Sequence, residues 1–176
     1  MEITTDVYLR GPVWADTIDK LKGTIFDTQW GIYAISVALG IMYDKTAECE
    51  DDEEDPRYVP RNVLQKGSNV ALLELLFRAA ILTTRTIDLS EDDRLNLAFG
   101  EEKDYEFKRL PFLTGFANYG VQRLAEQIAE DGATLETMEN LMAYLNDSVE
   151  NLVEPEFTTD DWMNLDNLDE DLFICQ

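Results

Sequence analysis

The chain has no histidine among its 176 residues. Histidine is the commonest general base and the commonest transition-metal ligand, so its absence removes every Ser-His and Cys-His catalytic pair. Only two cysteines are present, Cys49 and Cys175, and they form neither a disulfide framework nor a metal-binding spacing. Both lie among carboxylates, which disfavour a reactive thiolate. The sequence therefore predicts a protein that is not an enzyme and that needs no cofactor or metal.

Long apolar runs are also missing. No stretch approaches the roughly 18 apolar residues that a membrane span needs. Residues 1–6 lack the basic and apolar regions of a signal peptide, so we expect a cytoplasmic protein without membrane contact. Apolar residues nevertheless make up 45% of the chain, which is enough for one folded domain with a real core.

Basic residues are scarce, with 14 Lys and Arg against 37 Asp and Glu and a net charge of −23. Residues 48–55 hold seven acids and residues 154–176 hold eight, and neither segment contains a base. The rest of the chain has 22 acids and all 14 bases, so it is only mildly acidic. Such charge repels nucleic acid and anionic lipid. We therefore expect no direct nucleic-acid binding and a protein partner with a basic surface.

The spacing of apolar residues predicts an all-α fold, a single-domain bundle of about five to seven helices over residues 1–153. Residues 2–10 are expected to form a short strand or an extended lead-in. A long acidic loop is expected at about residues 45–61, and an acidic, hydrophobic tail at residues 154–176. The expected helices cover residues 14–21, 28–43, 69–84, 91–99, 112–130 and 134–152.

Three of these helices are expected to begin at a polar cap, namely Thr28, Ser68 and Thr134. The first two are apolar almost all round, which predicts central positions in the core. On the helix at residues 69–84, Glu74 and Arg78 are expected to lie on the single strip that is exposed to solvent. The last helix has a well-defined apolar stripe, and no heptad pattern is long enough for a coiled coil. That stripe consists of Leu135, Met138, Leu141, Met142, Leu145, Val149 and Leu152.

Residues 115–120 read Gly-Phe-Ala-Asn-Tyr-Gly inside an otherwise helical run. Each glycine costs a helix about 1 kcal/mol relative to alanine, so such a cluster has a reason. One interpretation is close packing against another helix. The alternative is a contact surface for a partner, with Phe116, Asn118 and Tyr119 as the binding residues.

The tail interleaves large apolar residues with acids, a pattern typical of segments that fold on binding a basic, apolar groove. Its candidate partner-binding residues fall near one helical face, which suits a helix-in-groove mode. The other interpretation is a final helix packed on the body. The candidates are Trp162, Leu165, Leu168, Leu172 and Phe173.

Three clusters of carboxylates are candidate cation or acid-base sites, at residues 48–55, 91–93 and 101–104. The first lacks the alternating spacing and central glycine of an EF-hand loop, which favours a solvated loop. The second suits the positive end of a helix N-terminus. A carboxylate-based metalloenzyme is accordingly the weakest hypothesis.

The order of elements over about residues 26–127 resembles a family of small accessory proteins associated with DNA phosphorothioation (Dnd) and related bacterial anti-phage defence loci. The resemblance begins with the Phe26-Asp-Thr segment and the Ala-Leu-Gly-Ile sequence at residues 38–41 that ends it. It continues through the apolar helix of residues 72–81. It closes on residues 113–124, which are similar to that family's Ala-Asn-x-Gly-x-x-x-Leu ending. The resemblance implies an accessory role in a defence or DNA-processing complex and carries over no catalytic residues.

Our main functional hypothesis is a non-catalytic interaction protein that binds a basic partner through acidic and apolar surfaces. The alternative is a DNA mimic, an inhibitor whose carboxylates imitate phosphates on a DNA-binding enzyme. Mimicry needs acids spread over a rigid surface, whereas here they concentrate in two segments. Adaptation to high salt is a further hypothesis, which the many Ile, Leu and Asn residues fit poorly.

Overall fold

The computed structural model describes residues 3–48, 56–85, 87–100, 108–130 and 132–152. Within these ranges the chain forms seven helices and one two-stranded ribbon, so the predicted all-α class is confirmed. The elements are β1 (Val7–Leu9), α1 (Pro12–Leu21), α2 (Gln29–Met42), β2 (Arg57–Val59), α3 (Arg61–Leu64), α4 (Gly67–Thr83), α5 (Glu91–Phe99), α6 (Arg109–Ala125) and α7 (Thr134–Leu152).

Two compact units are distinguished along the chain, Met1–Leu141 and Met142–Gln176, and their boundary falls inside α7. The first unit contains β1 to α6 and the beginning of α7. The described part of the second unit is the remainder of that helix. The predicted tail at residues 154–176 lies outside the described residues.

Helices α2 and α6 form the most extensive contact between elements. Their backbones meet at two glycines, because a Cβ atom added at Gly40 would overlap the carbonyl oxygen of Phe116. A Cβ atom at Gly120 would likewise overlap the carbonyl oxygen of Ser36. This close approach explains why both helices carry glycine despite its cost to helix stability.

Helix α2 begins where the sequence predicts, since Thr28 is its cap and Thr28 Oγ1 accepts a hydrogen bond from the Gly31 amide at 3.4 Å. Its central position is confirmed by Ile32, Tyr33 and Val37, all fully buried. Helix α5 follows Ser90, whose Oγ accepts a hydrogen bond from the Asp93 amide at 3.1 Å. The expected cap Thr134 is instead the first residue of α7.

The predicted loop at residues 45–61 is wrong in its last part, because Arg57–Val59 forms strand β2. This strand pairs antiparallel with β1, with Val7 opposite Val59 and Leu9 opposite Arg57. The buried Val7, Leu9 and Val59 side chains hold the ribbon on the core. The partner strand lies 50 residues away in the sequence, so no local pattern marks the pairing.

Helix α4 departs from the prediction in two ways. It begins at Gly67 after Lys66 and has no side-chain cap, so Ser68 lies within the first turn. The helix is also far from fully buried. Leu73, Phe77, Ala80 and Ile81 face the core, whereas Leu72, Leu75 and Leu82 are 37%, 63% and 43% exposed. The exposed strip is therefore wider and more apolar than the predicted Glu74–Arg78 pair.

Helix α6 begins at Arg109 and ends at Ala125, earlier at both ends than the predicted range of 112–130. Pro111 is tolerated because the amide of a residue in the first helical turn has no intrahelical acceptor. Hydrogen bonds from the amides of Gln127 and Ile128 to the carbonyls of Leu124 and Ala125 tighten the chain into turns after the helix.

Candidate partner-binding site

Asn118 on α6 was one candidate binding residue, and it lies inside the protein at 7% exposure. The indole Nε1 of Trp14 donates a hydrogen bond to Asn118 Oδ1 at 3.0 Å. Asn118 Nδ2 donates to the carbonyl oxygen of Ala47 at 3.3 Å, and the Ala47 amide donates to the carbonyl of Gly115 at 3.0 Å. Asn118 therefore joins α1, α6 and the segment after α2.

Phe116 is fully buried as well. Its ring makes an edge contact with Phe112, with ring centroids 5.1 Å apart, and Phe112 makes a similar contact with Phe77 at 6.0 Å. Neither Phe116 nor Asn118 is exposed for a partner, and their role in binding stays a prediction. The physical reason is the close approach of α2 and α6, which encloses both residues and makes close helix packing the correct interpretation.

Tyr119 lies at the margin of the same contact and is half-buried. Its ring packs against Tyr43 at 6.0 Å, and Lys45 Nζ lies 5.6 Å from the ring centroid. Arg123 donates from Nε to the Tyr119 hydroxyl at 3.1 Å and from Nη1 to Glu126 at 2.9 Å. The hydrogen bond to Glu126, and then the one to Tyr119, raise the pKa of Arg123. Tyr119 is thus engaged by neighbours on α6 and in the segment directly after α2.

The other candidate binding residues, Trp162, Leu165, Leu168, Leu172 and Phe173, lie outside the described residues. Their role in binding stays a prediction. So does the interpretation of the acidic run at residues 48–55, of which only Glu48 is described.

Helix α7 presents apolar side chains to solvent. Leu135 is 65% exposed, Met138 is 41% exposed, Met142 is 60% exposed and Val149 is 58% exposed. With the half-buried Leu145 they form one row along the helix, which we call the α7 seam. Large exposed apolar groups in a row are typical of a surface that another chain covers.

The charged residues of helix α7 are all of one sign. Helix α7 carries Glu136, Glu139, Asp147 and Glu150, and it contains no lysine or arginine. The apolar stripe in the sequence already marks this helix as amphipathic. Two features of the sequence could have indicated a binding surface on α7, namely its apolar spacing and its lack of any lysine or arginine.

A second group of exposed apolar residues lies on α4 and α5. Leu75 and Phe99 are the most exposed members, at 63% and 62%. The guanidinium carbon of Arg78 lies 5.8 Å from the Phe99 ring centroid and partly occupies this face. Arg94 fixes the connection between the two helices by donating to the carbonyl oxygens of Ile81 and Thr84, each at 2.7 Å.

A cavity of about 330 Å³ lies at the start of α2, beside β2 and α3. It combines aromatic and apolar walls with one amine and one carboxylate, and it has no pair of acids for proton transfer. Its lining residues are Lys22, Asp27, Thr28, Gln29, Trp30, Tyr58, Val59, Pro60 and Val63.

Within the ranges that the structure describes, no group of three or more acidic or cysteine side chains is arranged to hold a metal ion. None of the described helices is both long and apolar enough to pass through a membrane.

Comparison of the chain with protein-family models, with curated proteins and with solved structures finds no match.

Proposed function

We propose that this protein is a non-catalytic accessory protein that binds a basic protein partner through acidic and apolar surfaces. The observation that carries the proposal is the α7 seam, where exposed Leu135, Met142 and Val149 side chains stand on a helix that has acids and no base. Burying these side chains against a partner is favourable, at about 25 cal/mol per Å² of apolar surface removed from water. The surrounding carboxylates select a partner of opposite charge.

The resemblance over residues 26–127 supports the setting of this activity. We propose a bacterial defence or DNA-processing complex, in which the net charge of −23 keeps the protein away from DNA and directs it to a DNA-binding protein component. The residues that carry the interaction are those of the α7 seam and, as still predicted from the sequence, the apolar residues of the tail.

The test is affinity capture from a lysate of the host cell, with the full chain compared with a chain ending at Val153. Each is washed at about 0.05 M and about 0.3 M salt, because screening weakens exposed charge pairs over this range. We expect a basic protein that is retained at the higher salt through apolar contacts.

Three other outcomes of the capture are informative. Loss of the partner from the shorter chain would assign binding to the tail as well as to the α7 seam. A DNA-binding enzyme recovered only at low salt would instead support mimicry of DNA. Recovery of no basic protein by either chain would contradict the proposed function.

A further inference from the structure

The residues of the α7 seam are spaced three and four apart in alternation. Leu135, Met142 and Val149 are seven residues apart, and Met138 and Leu145 fall between them. The spacing continues in the sequence to Leu152. These are the a and d positions of a heptad, the positions that a second helix covers when two helices pack side by side.

Residues beside the α7 seam hold the beginning of the helix on the first unit. Thr137 and Leu141 are buried, at 2% and 5% exposure. Thr137 Oγ1 accepts a hydrogen bond from the amide of Ala129 at 3.0 Å, and Asn140 Nδ2 donates to the carbonyl oxygen of Gln127 at 3.4 Å. Leu135 and Met138, one or two residues away from Thr137, are left exposed. The helix is therefore anchored without using the α7 seam.

Charge distinguishes between the possible occupants of the seam. Residues 154–176 of this chain contain eight acids and no base, so the tail would bring like charges onto a helix that already has four acids. A second copy would bring another helix with four acids, on a chain of net charge −23. Glu139 lies at an e position beside the seam, so a Lys or Arg of a docked helix would pair with it, whereas another acid there would be repelled.

We propose that the α7 seam binds one amphipathic helix of a partner protein, with apolar residues at its a and d positions and Lys or Arg beside them. This inference rests on the proposed function and names the binding mode. Helix α7 has 19 residues and is about 28 Å long, so the docked helix needs about 20 residues to match it. Three heptads are short for a free-standing coiled coil, but α7 is already formed and anchored, which lowers the entropy cost of pairing.

The test uses the full chain and a synthetic helical peptide of 21 residues with Leu at the a and d positions and Lys at the e and g positions. Binding is measured by fluorescence anisotropy at about 0.15 M salt. The variant Met142→Glu places a charge in the seam, and Ala143→Glu places the same charge on an exposed position one residue further along. We expect Met142→Glu to weaken binding at least about tenfold and Ala143→Glu to change it less than about threefold.

Three results would overturn the inference. The first is equal binding of the Lys peptide by the two variants. The second is equally tight binding of a matched peptide with Glu in place of Lys, because the acids of α7 would then have no selective role. The third is a dimer of the protein alone, measured by light scattering, that Met142→Glu converts to a monomer and Ala143→Glu does not.

Failure of this inference is distinguishable from failure of the proposed function. A basic protein captured from the lysate equally well by the wild type and by Met142→Glu would leave the proposed function standing and overturn the α7 seam as its site. Capture by the wild type and by Ala143→Glu, together with loss from Met142→Glu, would support both.

Discussion

Helices α6 and α7 place their apolar residues in opposite surroundings. Helix α6 lies against α2, with Phe116 and Leu124 fully buried and with Gly120 in contact with the backbone of the neighbouring helix. Helix α7 buries Thr137 and Leu141 and exposes the apolar residues of its seam. The first helix therefore contributes its apolar surface to folding. The second keeps much of its apolar surface available, which is the physical basis of the function we propose.

The largest expected effect comes from filling the space between α2 and α6. Gly120→Ala forces a Cβ atom into the carbonyl oxygen of Ser36, so we expect a loss of about 3 kcal/mol in the free energy of unfolding, measured with urea. The matched control is Gly115→Ala in the same helix, where the nearest atoms are those of the Thr46 side chain at 3.5 Å. There we expect a gain of up to about 1 kcal/mol from helix propensity. Equal effects of the two substitutions would contradict the close contact.

The next effect tests the hydrogen bond between Trp14 and Asn118. Asn118→Ala leaves the buried indole N–H without its acceptor, so we expect a loss of about 2 kcal/mol in the free energy of unfolding. In the Asn118→Ala background, Trp14→Phe is expected to cost less than it does alone, because the hydrogen bond has already been removed. Additive effects in this double-mutant cycle would show that the two side chains act independently.

A smaller effect appears only at alkaline pH. Burial raises the pKa of the Tyr33 phenol above its usual value near 10, so the folded protein holds this proton more tightly than the unfolded chain does. The associated stability is complete below about pH 10 and is lost as the pH rises above that value, by about 1.4 kcal/mol per pH unit. We expect Tyr33→Phe to lose less stability than the wild type between pH 8 and about pH 11.

The measurement for Tyr33 is urea unfolding of both proteins at each pH. The other six tyrosines are the same in both chains, so the difference isolates Tyr33. At pH 8 the variant should lose about 1 kcal/mol, because the hydroxyl contacts Thr114 Oγ1 at 3.2 Å. An identical alkaline loss in both proteins would mean that Tyr33 is accessible to water.

Local signals in the sequence predicted most of the helices, because caps and apolar spacing act within one or two turns. Thr28 is a correct cap for this reason. Non-local contacts were not predictable in the same way. Strand β2 depends on β1, which lies 50 residues earlier, and α4 begins without the expected Ser68 cap.

The candidate site was less predictable than the fold, because apolar spacing does not say what covers an apolar face. The glycines around Phe116 and Asn118 fitted both a tight internal contact and an external surface, and only the position of α2 decides between them. The stripe on α7 fitted a buried face equally well. Its exposure depends on α7 being anchored through Thr137 and Leu141, which lie beside the seam and do not belong to it.

Our proposal requires that the α7 seam stays uncovered in the isolated protein. The most direct test is the free energy of unfolding of the full chain with Met142→Glu, because Met and Glu have similar helix propensities and the side chain is 60% exposed. We predict a change smaller than about 0.5 kcal/mol, as for an ordinary surface substitution. A loss of about 2 kcal/mol or more would show that this chain itself buries the seam, and it would contradict the account.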